Sequence, residues 1–271
     1  MFETYLQQWK LEVDGDSFQT HSSDLLPVRH QGRAAILKLP TVDEERQAGQ
    51  LMHWWQGQGA ADVYAFDETS GAIVLERLST EPSLKQMALN GRDDEATQIL
   101  CQAALKLHSK PADNLPPLFT LERWFRTLAP MAARYGGMLS YGAAIAERLL
   151  ADQRDVVVLH GDLHHENLLW SDQRGWLLID PKGLYGERTF DYINLLRNPQ
   201  FELAGQPERF AHQTWLISQE AGLDRRRFLE WTVAFACLSA AWYHESEDSD
   251  HGADEDLIFA HLASMELEKL K

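Results

Sequence analysis

The first third of the chain places two short apolar pairs, each broken by a turn, on either side of a single helical stretch. LLPVRH (25–30) and RAAILKL (33–39) meet around Gln31-Gly32, which predicts a hairpin. Residues 43–56 carry acidic side chains first and apolar ones later, as suits a helix whose first turn complements its dipole. ADVYAFD (61–67) and GAIVLER (71–77) flank Thr69-Ser70-Gly71 and read as a second hairpin. The order strand, strand, helix, strand, strand then gives way to helices from about residue 82.

Apolar residues at helical spacing predict helices over 95–109, 121–135 and 141–153, with a Gly-Gly break between the last two and a kink at Pro130. VVVLHGD (156–162), NLLW (167–170) and GWLLID (175–180) interrupt as short strands, and 188–197, 207–221, 224–243 and 253–270 return to helix. The expected class is α+β, with a β-rich lobe over 1–78 and a mainly helical lobe over 79–271. The composition shifts near 78–82, and no repeat or low-complexity linker intervenes.

Charge narrows the partners. With 41 Asp and Glu against 25 Lys and Arg the net charge is −16, a field that repels nucleic acid and anionic membrane. A small, cationic molecule suits it better, and any anionic ligand must be held by local positive charge. No apolar run nears the roughly 20 residues of a membrane span, and the start lacks the basic-then-apolar order of a signal peptide. The expected location is the cytoplasm. Cys101 and Cys237 lie far apart in helix-like segments and read as buried small apolar side chains.

The densest chemistry is His160-Gly161-Asp162-Leu163-His164-His165-Glu166-Asn167, followed by Leu178-Ile179-Asp180. The spacing His-x-Asp-x-x-x-x-Asn is that of a kinase catalytic loop. Phosphoryl transfer needs a carboxylate to receive the hydroxyl proton, here Asp162, and oxygen ligands for Mg²⁺, here Asn167 and Asp180. Lys38 ends the run AAILK, where it can neutralise ATP phosphates. Glu45 on the next helix can pair with it, and Glu44 is the alternative. Taken singly, each is an ordinary edge-strand charge, helix-dipole residue or turn former. Two rivals stand beside this reading. A metal hydrolase would use His160, His164 and His165 with Asp162 and Glu166, but leaves Lys38, Asn167 and Asp180 idle. A non-catalytic pseudokinase would not need Lys38, Asp162, Asn167 and Asp180 together.

HGDLHHENLLW and WLLIDPKGLYGERTFDYINLLRNP resemble the aminoglycoside 6-phosphotransferase (streptomycin 6-kinase) and hydroxyurea phosphotransferase family, within the protein-kinase-like superfamily. SSDLLPVRHQGRAAILK, VLERL and CLSAAWY extend the resemblance over most of the chain. It implies a bilobal kinase-like fold and transfer of the ATP γ-phosphate to a hydroxyl, in antibiotic resistance or, on the same scaffold, in sugar or metabolite phosphorylation. By position it places Lys38 on the α/β-phosphates with Glu45 beside it, Asp162 as base, and Asn167 and Asp180 on Mg²⁺. Glu76 and Leu78 would offer backbone groups to adenine, so that their side chains matter little. Ser22 and Ser23 would lie in the nucleotide-covering loop, where Thr20-His21-Ser22-Ser23 replaces a glycine-rich sequence. Asp180-Pro181-Lys182-Gly183 replaces Asp-Phe-Gly. The segment 245–256, ESEDSDHGADED, carries seven carboxylates and no Lys or Arg. It reads as a solvated loop or as an acidic rim for a cationic acceptor, with Trp242 and Tyr243 beside it as an aromatic wall or as part of the core, and with Trp242 and Glu245 as candidate substrate contacts.

Overall fold

The computed structural model describes residues 2–246 and 250–271, leaving out the side chains of residues 43, 44, 246, 250 and 251. Helix α1 (Glu3–Gln8) precedes β1 (Leu11–Val13), β2 (Phe18–Gln19), β3 (Ser23–His30) and β4 (Arg33–Pro40). Helix α2 (Asp43–Trp55) then leads to β5 (Val63–Phe66) and β6 (Ile73–Glu76). These strands form an antiparallel sheet in the order β1-β3-β4-β6-β5, with β2 beside β3. Gln31 and Gly32 both have positive φ (54° and 77°), the geometry of a tight I′ hairpin turn. It fixes the β3–β4 register with Lys38 opposite Leu25, while β6 sets Ile73 on the other side of Lys38.

That register decides which face each side chain meets, because successive residues of a strand alternate. Val28, Ala35, Leu37, Leu39 and Val74 are buried on the outer face, beneath Phe2, Tyr5, Leu6 and Trp9 from α1 and its flanks. Leu25, Ile36, Lys38, Ile73 and Leu75 line a cavity on the inner face. The amino-terminal helix and β1 carry no strong pattern of their own in the sequence; they exist as a cover for this outer face.

The remainder is mostly helical: α3 (Leu84–Leu89), α4 (Asp93–His108), α5 (Leu121–Trp124), α6 (Leu128–Tyr135), α7 (Gly137–Ala151), α8 (Ile193–Arg197), α9 (Phe201–Ala204), α10 (Pro207–Ala221), α11 (Arg225–Ser246) and α12 (Asp250–Lys269). Every residue from Trp231 to Ala241 of α11 is buried, the signature of a helix surrounded by others. Each fully buried large apolar side chain there contributes about 1.5–3 kcal/mol. Pro130 kinks nothing. The expected helix over 121–135 is broken earlier, by a 3₁₀ turn at Phe125–Thr127, and Pro130 falls in the first turn of α6, where a missing N–H breaks no bond. Both cysteines are free and buried, and burial pushes the Cys237 thiol up to about 12.

The remaining strands carry the central motif. β8 (Val156–Leu159) pairs with β11 (Leu184–Glu187), which also lies parallel to β7 (Phe119–Thr120). β9 (Leu168–Ser171) and β10 (Gly175–Leu178) form a hairpin. It ties the two regions together: Ser79 exchanges backbone hydrogen bonds with Trp170 at 2.8 and 3.1 Å, and Leu178 bonds Gly59 and Ala61 at 3.0 Å each. No helix among the described residues is long and apolar enough to cross a membrane.

Candidate active site

A cavity of about 470 Å³ opens between the inner face of the sheet and the β9–β10 hairpin. Ile36, Leu75, Leu169 and Ile179 give it apolar walls, and Lys38, Glu45 and Asp180 form its polar end. Lys38 is the hub. Its ammonium lies 2.5 Å from Glu45 Oε2 and donates a hydrogen bond to Asp180 Oδ1. Burial pushes the lysine toward neutrality, but the adjacent Asp180 and Glu45 charges outweigh this and hold its pKa above the ordinary value. Asp180 shows the converse. Burial would raise its pKa, yet Lys38, then Lys182, keep it below the usual carboxylate range. Glu45 is thus the partner of Lys38, and the Glu44 side chain lies outside the described residues.

Ser22 donates its hydroxyl to Glu45 Oε1 at 3.0 Å, so the loop before β3 is tied to the same carboxylate. Ser23 is fully buried at the start of β3. Neither serine lines the cavity; from this segment Phe18 and Thr20 do. Glu76 and Leu78 both line it. The Glu76 side chain, however, is fully engaged. It accepts hydrogen bonds from Ser171 Oγ at 2.9 Å and Arg174 Nη1 at 2.6 Å, and so joins the sheet to the β9–β10 hairpin. Its identity therefore matters to the structure, a cross-link the strand pattern alone does not reveal.

The loop after β8 is held from beneath. Asp191, fully buried, accepts from His160 N–H at 2.8 Å, Gly161 N–H at 2.6 Å and His108 Nε2 at 2.7 Å. Burial would raise its pKa, but the hydrogen bonds and the nearby His108 hold it down. The His160 ring stacks on Trp55, donates Nε2–H to the Ile179 carbonyl at 2.8 Å and accepts Asp162 N–H at Nδ1. Burial lowers its pKa below the ordinary histidine value, despite the nearby Asp191 and Asp162. Asn167 donates to the Asp162 carbonyl at 2.9 Å, closing the loop, and Ile179 N–H bonds the Asn167 carbonyl. Asp180 has φ +60°, a left-handed conformation that Asp tolerates better than most residues.

Asp162 itself stands at the rim of a second cavity, of about 430 Å³, with Glu166, Asn194, Arg197, Tyr243, Glu255 and Asp256 among its walls. Asn194 Nδ2 donates to Asp162 Oδ1 at 3.0 Å, and Lys182 Nζ lies 3.9 Å from Oδ2. Arg197 pairs with Asp256, whose carboxyl burial raises above its ordinary value despite that partner. Of the residues expected near the acceptor, Tyr243 lines this cavity, and Trp242 and Glu245 do not. Trp242 packs edge-to-face on Trp124 and against Phe235, and Glu245 accepts from Thr127 Oγ1 at 3.3 Å. One step along α11 turns the chain by about 100°, so Tyr243 rather than Trp242 meets the cavity. Of the acidic segment 245–256, residues 247–249 lie outside the described residues, and Glu255 and Asp256 reach the cavity from α12. Asn194 and Arg197 went unread because they belong to a stretch with only helical periodicity to mark it.

The hydrolase alternative has no geometry. Among the described residues no group of three or more His, Cys, Asp and Glu side chains could hold a metal ion, the His160 ring is committed as above, and His165 is buried. What the site offers is an anchored cation beside a carboxylate at one end of an apolar slot, and a second carboxylate facing a polar cavity.

The family described as aminoglycoside/hydroxyurea antibiotic resistance kinases matches residues 8–247. The chain is 42% identical over 243 residues to streptomycin 3″-kinase from Klebsiella pneumoniae, covering 88% of this chain and 90% of that one. It is 31% identical over 250 residues to streptomycin 6-kinase from Streptomyces griseus, covering 88% and 80%. In three dimensions it resembles aminoglycoside phosphotransferase APH(4)-Ia in a ternary complex with ADP and hygromycin B, with a TM-score of 0.68, 10% identity and 97% of each chain covered. At that identity the likeness concerns the fold, which is the protein-kinase-like one expected from the sequence.

Proposed function

Because the chain belongs to the aminoglycoside/hydroxyurea antibiotic resistance kinase family, we propose that it phosphorylates a streptomycin-type aminoglycoside, with Asp162 as the base. It is an ATP-dependent phosphotransferase acting on a hydroxyl group. The observation that carries the residue roles is the Lys38–Glu45–Asp180 cluster at the end of the apolar cavity, with Asp162 on the neighbouring polar one. A flat base fits between the Ile36, Leu75 and Leu169, Ile179 walls, with backbone groups of Glu76 and Leu78 at its edge, and Lys38 takes the phosphates. Ser22 acts through Glu45, and Thr20 is the residue of that loop nearest the cavity. Oxygen donors are what Mg²⁺ requires. The Asp180 carboxylate and the Asn167 amide, whose nitrogen is already committed to the Asp162 carbonyl, fit that demand. Bound there, the ion would neutralise phosphate charge.

Asp180→Asn tests this assignment. Its expected effect is a loss of Mg·ATP affinity by calorimetry with little loss of fold, because the amide still accepts from Lys38 but binds a hard cation poorly. Unchanged affinity would remove Asp180 from the metal site.

The acceptor assignment rests on relatives and on charge. Among the described residues Asp162, Glu166, Glu255 and Asp256 line the second cavity beside Arg197; Glu166 bonds Lys85 and Asp256 pairs with Arg197, and the remaining excess of carboxylates suits a cationic acceptor. The stronger likeness to a 3″-kinase than to a 6-kinase favours the 3″-hydroxyl. A panel of streptomycin, hydroxyurea and neutral sugars, read by mass shift and NMR of the product, should show streptomycin phosphorylated at that position. kcat/KM should fall as salt rises. Turnover of a neutral sugar alone, with no salt effect, would indicate a metabolite kinase on the same scaffold.

A further inference from the structure

Lys182 acts on Asp180 only through its charge and, among the described residues, holds no carboxylate closely. The cations lining the two cavities each hold a carboxylate closely: Lys38 with Glu45 and Asp180, Arg77 with Asp14 at 2.5 Å, and Arg197 with Asp256. Lys182 does not. Among the described residues its one carboxylate neighbour within 4.0 Å is Asp162 Oδ2 at 3.9 Å, beyond hydrogen-bond range.

Its place is nevertheless built. The Lys182 N–H donates to the His160 carbonyl at 2.7 Å. Gly161 has φ +80°, and a Cβ there would come within 3.1 Å of Lys182 Cβ and 2.9 Å of Leu184. Only glycine lets the segment after Asp180 lie so close to the loop after β8. The lysine stem therefore starts against the residue that precedes Asp162. Asn194 holds Asp162 Oδ1 at 3.0 Å, and the Lys182 ammonium lies nearest the other oxygen, Oδ2, at 3.9 Å. With about a third of the side chain exposed, the ammonium is free to meet an incoming anion.

We propose that Lys182 is a catalytic cation whose ammonium contacts a peripheral oxygen of the phosphoryl group in transfer. This rests on the kinase reading above. In the step, the acceptor hydroxyl oxygen forms a bond to the γ-phosphorus and the bond from that phosphorus to the β,γ-bridging oxygen breaks. Its electron pair stays on ADP, and the hydroxyl proton passes to Asp162. The moving group carries negative charge past a carboxylate, in a chain whose net charge is −16. A cation fixed beside that carboxylate offsets the repulsion where it is greatest, and electrostatic stabilisation placed in advance is worth most in the transition state.

Lys182→Met keeps the aliphatic stem and removes the charge, and Lys182→Arg keeps the charge. The methionine variant should lose about 100-fold in kcat with streptomycin, the scale of removing one fixed donor to transition-state charge. KM for ATP and affinity for Mg·ADP should not change, and the arginine variant should recover part of the rate. Aluminium fluoride mimics the phosphoryl group in transfer, so adding it should tighten Mg·ADP binding in the wild type and not in Lys182→Met. The proposal is overturned if the methionine variant keeps that tightening, or if Mg·ADP affinity falls in step with kcat, which would make Lys182 a ground-state binder. Wild-type protein that fails to bind Mg·ADP would sink the kinase reading itself and this proposal with it. Wild type that binds Mg·ADP but leaves streptomycin untouched would indict the acceptor, and the fluoride comparison would then decide the role of Lys182.

Discussion

Asp162→Asn should lower turnover by roughly 10²–10⁴-fold, the range for loss of a general base, while Mg·ADP affinity and melting temperature stay close to wild type. The substitution is nearly isosteric, and its amide oxygen can still accept from Asn194, which bonds Asp162 Oδ1 at 3.0 Å. The backbone around it is fixed by other groups, since Asn167 reaches the Asp162 carbonyl and His160 receives its N–H. Lys38 and Asp180 sit on the other cavity and are untouched. The charge that attracts the proton is lost and little else. Rapid-quench turnover beside calorimetry separates the two effects. Equal losses of ADP affinity and rate would mean that Asp162 organises the cleft rather than performing the chemistry.

The parts of this site that the sequence displays are those where chemistry forces residue type at short range. Asp162 and Asn167 lie on one loop, and Asp180 ends the next hairpin, so their convergence follows from local connectivity. Lys38 and Glu45 are a strand and a helix apart, and alternation along β4 puts Lys38 on the cavity face beside Ile36. The acceptor side depends on packing between distant helices. An unbroken apolar stretch such as that around Trp242 gives no phase, so nothing in it says that Tyr243 rather than Trp242 meets the cavity. Glu255 and Asp256 stand in an acidic run whose composition suits a loop, yet they lie in α12 and Asp256 is buried against Arg197.

The same division holds for the fold. The hairpin at Gln31-Gly32 and the strands around the central motif are encoded within a few residues and form as the pattern predicts. The break at Phe125–Thr127 is not so encoded: Phe125 packs edge-to-face on both Phe190 and Trp231, and this three-way aromatic contact sets where the chain turns. Pro130 was the visible signal, and it sits where it disturbs nothing. Likewise Glu76 was legible as a strand end, whereas its bonds to Ser171 and Arg174 span 95 and 98 residues.

Asp191 is the residue whose loss should cost most in stability. Its carboxylate accepts from two backbone N–H groups of the loop that carries Asp162, and it also binds His108. Asp191→Ala strands these buried donors, and removing one partner from a buried charged network costs about 3–5 kcal/mol. Asp191→Asn should lose less, because its single oxygen can serve His160 N–H and His108 while Gly161 N–H alone goes without. Both variants should also lose turnover, since the loop that positions Asp162 loses its anchor. The pH dependence has a definite sign. The folded-state pKa of Asp191 is depressed, so its contribution is fully present above the unfolded carboxylate value and is lost as pH falls through the folded one. The stability gap between wild type and Asp191→Asn, measured by denaturant titration, should therefore be flat at neutral pH and narrow only in acid below the ordinary Asp range. A gap that is absent at neutral pH, or that widens on acidification, would show that the loop is held by other contacts and that Asp191 is a bystander.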